Sequence, residues 1–273
     1  MVKYCKKREK VRHILLFVFF LTALYSKTYY SRVEPIDIYT VSSQVSGEVL
    51  FVDENMLGKK LTKKPYIIID DEIDKQDLLS VDKKLKALKQ MISIDKEIIK
   101  NFQKSIKRKE ENYNSIKNLS IKSKTQKDAI YFDLINTKNQ LLNTKKEIRN
   151  LESQISDLES KKARLIKSIK DKSISNPGLV LYQLLVKKSQ VVNFSTPLAK
   201  VADTSKAILT IYVDKDTLKD IKNKTIYINS KPTKYKISRL VKIADSVNIS
   251  EYKVQIIIKP LKIYSDLVKV EFR

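Results

Sequence analysis

Asn118-Leu119-Ser120-Ile121-Lys122-Ser123-Lys124-Thr125 is the stretch that decides the fold, because one apolar rhythm stops before it and a second begins after it. Upstream, Leu78, Leu85, Ile92, Ile99, Ile106 and Tyr113 recur every seven residues, interleaved three residues later by Val81, Leu88, Asp95, Phe102, Lys109 and Ile116. Downstream, Leu134, Leu141, Ile148, Ile155, Lys162 and Ile169 repeat the pattern, interleaved with Thr137, Thr144, Leu151, Leu158 and Leu165. Two such seams predict coiled-coil helices. From Asp71 to Lys172 there is neither Gly nor Pro to break them. In the break, Ser and Asn side chains compete for backbone groups and favour a turn. The pattern therefore predicts an antiparallel helical hairpin over 71–172, with its tip at about 117–125 and arms of about 45 residues reaching roughly 65 Å. Folding about residue 120 sets Asp95 against Lys145 and Lys146, and Lys162 near Asp77 and Asp82. A single continuous rod that dimerises is the alternative.

The stretches on either side of the hairpin are copies of one small β unit. Before it stand Val45 to Val52, Met56 to Leu61 and Pro65 to Asp70; after it, Pro177 to Val180, Val186 to Val192 and Pro197 to Asp203. Gly47 to Gly58 is eleven residues and so is Gly178 to Ser189; Gly58 to Pro65 is seven and Ser189 to Pro197 eight. This is one internal repeat interrupted by a coiled coil. Neither half carries enough apolar surface to fold alone, so the halves are expected to meet as a β-sandwich at the base of the rod. Gly47, Gly58, Gly178 and Pro197 read as backbone requirements of turns and close approaches.

Beyond the repeat, Ala207 to Val213, Thr225 to Ile228, Tyr235 to Ile243, Tyr252 to Ile258 and Leu267 to Phe272 read as strands, with Lys215 to Asn223 a short helix. Ile36 to Val41 adds a strand from before the first half. Five or six short strands suit a small barrel. At the other end, basic residues 1–13 precede the uncharged run Ile14 to Tyr25. With Lys27 snorkelling and Tyr29 and Tyr30 at the interface, 14–30 reads as an uncleaved signal anchor with the basic tail cytoplasmic and the rest exported. A removed signal peptide is the alternative.

Composition bounds the chemistry. The chain has 273 residues, 55 Lys+Arg against 31 Asp+Glu, three Gly, one His and one Cys. A glycine-cradled nucleotide site, a His/Cys metal cluster or a histidine triad has almost no raw material, so no enzyme, metal or cofactor role is expected. Net charge +24 invites nucleic acid, but the basic residues are spread along the chain and are 47 Lys to 8 Arg, which suits solvated faces better than base reading.

A β half-motif, a helical hairpin and a second half-motif, followed by further strands, resemble the periplasmic adaptor subunits, the membrane fusion proteins of haemolysin D type, over nearly the whole chain. The resemblance implies an α+β fold: an N-terminal transmembrane helix (14–30), a split lipoyl-like sandwich (31–70 with a first barrel strand, and 173–204) and a C-terminal small β-barrel (205–273). In lipoyl carriers a modified lysine sits on the turn joining the halves; here the hairpin replaces that turn, so no carrier chemistry is implied. In this family the tip docks on a TolC-type outer-membrane channel through an arginine, a leucine four residues later and a serine seven further on. Those slots read Asn112, Ile116 and Ser123 here, followed by Asp128. Asn112 departs from the arginine, and Arg108 lies one turn earlier. For Ser123 a helix N-cap and for Ile116 seam packing compete with docking. The implied role is a non-catalytic adaptor joining an inner-membrane transporter, of ABC, resistance-nodulation-division or major-facilitator type, to that channel as a homo-oligomeric ring. A membrane-tethered coiled-coil scaffold without channel contact is the alternative.

Overall fold

The computed structural model describes residues 27–243, 251–261 and 263–273. Its longest elements are helix α1, Glu72–Ile116, and helix α2, Lys124–Asp171, which run antiparallel and pack against each other. Every seam position named above is buried or half-buried, and Val81, Leu134 and Leu151 are the best sealed. The local seven-residue pattern thus sets which faces meet. Two polar seam residues satisfy each other across it: Lys109 Nζ donates to Thr137 Oγ1 at 2.9 Å and pairs with Asp133 at 2.8 Å.

The arms are laced by ion pairs, and Lys162 meets Asp82 at 2.6 Å as the fold-back predicts. Asp77 pairs with Lys161 instead of Lys162. The expected contact of Asp95 with Lys145 and Lys146 does not form, and Asp95 enters no ion pair among the described residues. The register fixed by Asp82–Lys162 and Lys109–Asp133 puts those lysines about a turn away along the rod.

At the foot of the rod the two flanks interleave. Strands β1 (Thr28–Ser42), β2 (Gly47–Val52) and β3 (Ile67–Ile69) precede the hairpin; β4 (Ser173–Ile174), β5 (Val180–Leu184), β6 (Val191–Val192) and β7 (Pro197–Val213) follow it. One sheet has the order β4-β3-β2-β6, with two strands of the first flank held between two of the second, and faces a layer in which β5 pairs with β7 and β7 with β1. Val49, Tyr66, Ile67, Ile69, Leu181 and Leu198 are essentially sealed between them. The repeat is visible in the hydrogen bonds. Gly58 N donates to Leu181 O and Leu181 N to Lys59 O; in the other copy Ser189 N donates to Val49 O and Val49 N to Gln190 O. Gly58 and Ser189 share the left-handed conformation, with φ of +73° and +64°.

The strands also depart from the sequence reading. Pro197 to Asp203 and Ala207 to Val213 are not two strands but the single 17-residue β7. Asp203 to Lys206 looks like a polar break, yet β7 continues through it along β1, with a register shift between Pro35 and Asp37 where proline has no N–H to give. Thr28 to Tyr30 belong to β1 and not to a membrane helix; Tyr29 packs on Phe272 and its hydroxyl donates to Thr217. The basic tail 1–13 and the rest of the proposed anchor lie outside the described residues, among which no helix is long and apolar enough to cross a membrane. Tyr235 to Ile243 holds only one short strand, Arg239–Val241.

After β7 come helix α3 (Lys215–Asp220), a 3-10 turn (Ile221–Asn223), β8 (Ile226–Ile228), β9 (Lys231–Pro232), β10 (Arg239–Val241), β11 (Tyr252–Ile258) and β12 (Leu267–Phe272). The pairing path β10-β11-β7-β1-β12-β8-β9 is open, with no pairing between its end strands among the described residues. Leu209, Ile211, Val254, Ile256 and Val270 form its core. Since β7 supplies Leu198 and Val201 to one core and Leu209 and Ile211 to the other, the two β modules share a strand pair instead of a flexible link.

Candidate functional site: the hairpin tip

α1 ends at Ile116, where Lys117 N donates to Tyr113 O and Leu119 N to Ile116 O, and residues 117–123 form the turn. Ser123 starts α2. Its hydroxyl accepts from Gln126 N while Gln126 Oε1 accepts from Ser123 N, each at 3.3 Å, a reciprocal capping box. Ile116 is 9% exposed and packs in the seam. Of the four positions that the resemblance assigns to docking, Ser123 and Ile116 therefore have structural tasks, while Asn112 and Asp128 are exposed. Asn112 and Arg108 line the same shallow groove on α1, one turn apart.

The sequence reading passed over the apolar side chains that the turn displays. Ile121 is 91% exposed and Leu119 47% exposed. Just behind them the Tyr113 and Tyr131 rings meet tilted, with centroids 5.4 Å apart, and Tyr131 meets Phe132, itself largely exposed, edge-on at 6.0 Å. Lys117, Lys122, Lys124 and Lys127 surround this patch, and no acid occurs between residues 117 and 127. Leu119 and Ile121 fall in the break, outside both seams. The tip is an apolar cap in a positive collar, shaped for contact.

The other end of the rod is fixed. Burial pushes the Asp74 carboxyl up, but hydrogen bonds from Ser168 and Lys172 outweigh it and hold the group below its ordinary value. Lys172 Nζ lies 3.0 Å from Asp74 and is itself mostly buried. Gly47, at φ +156°, sits where a Cβ would come within 2.7 Å of Ile69 Cγ2, so it serves close approach of strands; Gly58 and Gly178, both at positive φ, have open space. Pro197 opens β7, and the left-handed residue of that turn is Ser195. Among the described residues no group of three or more His, Cys, Asp or Glu could hold a metal ion.

No family model and no curated protein matches the sequence. Solved structures do match. MacA from Actinobacillus actinomycetemcomitans aligns with a TM-score of 0.63 at 18% identity, over 91% of this chain and 78% of that one. A MacA–MexA chimera containing the Pseudomonas aeruginosa MexA α-hairpin domain gives 0.61 at 14% identity, over 91% and 81%. The membrane fusion protein Spr0693 from Streptococcus pneumoniae R6 gives 0.58 at 10% identity, over 91% and 99%. Hairpin, interleaved sandwich and strand-sharing C-terminal module together are the fold of these membrane fusion proteins.

Proposed function

We propose that this chain is a non-catalytic envelope adaptor that connects an inner-membrane transporter to a TolC-type outer-membrane channel. The observation that carries the reading is the exposed Ile121–Leu119 cap at the end of a hairpin whose two feet return to one sandwich. Helix α1 alone has 45 residues, which holds the tip about 65 Å from the base. A rod anchored by both ends transmits position, and an apolar patch on its far end needs a partner to cover it. Residues 14–25 embed in the inner membrane, and the C-terminal strands serve as the barrel-type module beside the transporter. Several copies stand side by side as a ring, so that their tips meet one duct. Energy comes from the transporter.

The test is co-purification of a TolC-type channel with the full chain and with the Leu119→Glu/Ile121→Glu variant. Both chains are expected to fold alike, since neither side chain is buried. Wild type retains the channel and the variant loses it. Equal retention, or none by either, sinks the channel contact and leaves a membrane-tethered scaffold.

A further inference from the structure

The C-terminal module carries a cationic groove that the adaptor role does not use. From Ile221 to Ile243 there are seven Lys or Arg and no Asp or Glu. Ile221 and Ile226 are sealed in the core, which leaves Lys222 and Lys224 projecting between them. The chain then turns through Asn229 and Ser230, both at positive φ, and Thr233 N donates back to Ile226 O at 2.9 Å. The returning segment lies beside the first. Its residues alternate: Tyr235 and Ile237 pack toward the core, while Lys234 and Lys236 are exposed. The result is a groove of about 740 Å³ lined by Lys222, Lys224, Lys234, Lys236 and Arg239, with no acidic residue in its lining. None of the five enters an ion pair among the described residues, whereas Lys89, Lys109, Lys138 and Lys162 of the hairpin each meet an acid on the opposite arm.

Its position is as informative as its charge. Thr28 pairs with Glu271, and Glu271 pairs with Tyr227 on the next strand, so the start of β1 lies two strand spacings, about 10 Å, from the groove wall. Lys224 also lines a small cleft that contains Lys27. That entry point is pinned, since Lys27 Nζ lies 2.7 Å from Asp214 and the Tyr29 hydroxyl donates to Thr217. Only Ser26 separates Lys27 from the uncharged run Ile14 to Tyr25, a gap of at most about 7 Å. A bilayer holding that run has its headgroups within a Debye length or two of the groove.

We propose that this groove is a contact site for anionic phospholipid headgroups and seats the C-terminal module on the membrane surface. The placement rests on the membrane anchor of the adaptor reading. Lysines are point charges that accept phosphates in many orientations, which suits a fluid headgroup layer. Tyr235 and Ile237 supply an apolar floor.

The experiment uses the full chain with vesicles of phosphatidylcholine alone or mixed with phosphatidylglycerol. Lysine acylation by a membrane-impermeant reagent is read by peptide mass spectrometry. Anionic vesicles are expected to slow labelling of Lys222, Lys224, Lys234 and Lys236 about fivefold each, leave the hairpin residue Lys145 unchanged, and lose the effect in high salt. Lys234→Glu/Lys236→Glu removes protection at Lys222 and Lys224 with an unchanged melting curve, and Lys234→Arg/Lys236→Arg keeps it. Equal labelling in both vesicle types overturns the proposal. So does equal protection by inorganic phosphate with neutral vesicles, which assigns the groove to a small free anion. Flotation with neutral vesicles reports the anchor separately, so a failed anchor and a failed groove give different results.

Discussion

The Tyr66 hydroxyl donates to Asn176 Oδ1 at 2.8 Å, joining residues 110 positions apart in the chain. Tyr66 is 1% exposed and stands on the flank before the hairpin; Asn176 stands on the flank after it. The bond forms only when both feet of the rod are together. Burial pushes the Tyr66 phenol up to about 12.

Tyr66→Phe is expected to destabilise the chain by about 1 kcal/mol, because Asn176 is only half-buried and regains water. The sign of the pH effect follows from the raised value. The unfolded phenol ionises near pH 10, so the stabilisation is present below that and is lost as pH rises towards about 12. Urea melts between pH 8 and 11.5 should fall more steeply for wild type than for Tyr66→Phe, with Tyr29 and Tyr264, also raised by burial, leaving a residual slope.

Acid acts on the other module. The Glu271 carboxylate is 2.6 Å from both Lys269 and Arg273, which hold its value below the ordinary one. Its stabilisation is present above the unfolded value and is lost as pH falls through the lowered one. Glu271→Gln should flatten the stability profile below about pH 4, measured by thermal melts; an unchanged profile removes Glu271 from the account.

The three glycines should not respond alike. Gly47→Ala puts a methyl 2.7 Å from Ile69 Cγ2 in a sealed core and is expected to cost about 2–3 kcal/mol. Gly58→Ala and Gly178→Ala meet open space and cost only the positive-φ penalty, about 1 kcal/mol. Urea midpoints of the three variants give the order directly.

At the tip, two substitutions separate support from contact. Ser123→Ala removes the cap and should destabilise the start of α2 by about 1 kcal/mol, read as faster amide exchange over the first turn. Ile121→Glu, at a side chain 91% exposed, should leave exchange unchanged.

The Asp82–Lys162 pair, each side chain about two-fifths exposed, guides register more than it stabilises. A double-mutant cycle should give a coupling of about 0.2–1 kcal/mol that shrinks in salt. A value several times larger would falsify the view that the apolar seam carries the hairpin.

The candidate site was half legible. Ser123 with Gln126 three residues on is a capping box written in the sequence, and the burial of Ile116 follows from its seam slot. Ile121 was not singled out, because an apolar residue in a break shows its exposure only once both helix axes are known.

The chain's own order of residues determined what is local: the heptad seams from Leu78 to Tyr113 and from Leu134 to Ile169, the turn between them, and the spacing that makes Ser189 the counterpart of Gly58. Each depends on neighbours within a few turns, so periodicity and turn chemistry suffice. Tertiary structure decided the rest. Thr204 to Lys206 falls between two strand segments of the sequence reading, yet β7 runs through it because β1 pairs with Asp203 on one side and Ala207 on the other, from more than 160 positions away; Asp95 lost its expected lysines because the register is a property of the whole interface. Pairing between distant segments leaves no periodic trace in either one, and that is why the shared strand β7, the lysine groove and the exposed Ile121 cap emerge only from the folded chain.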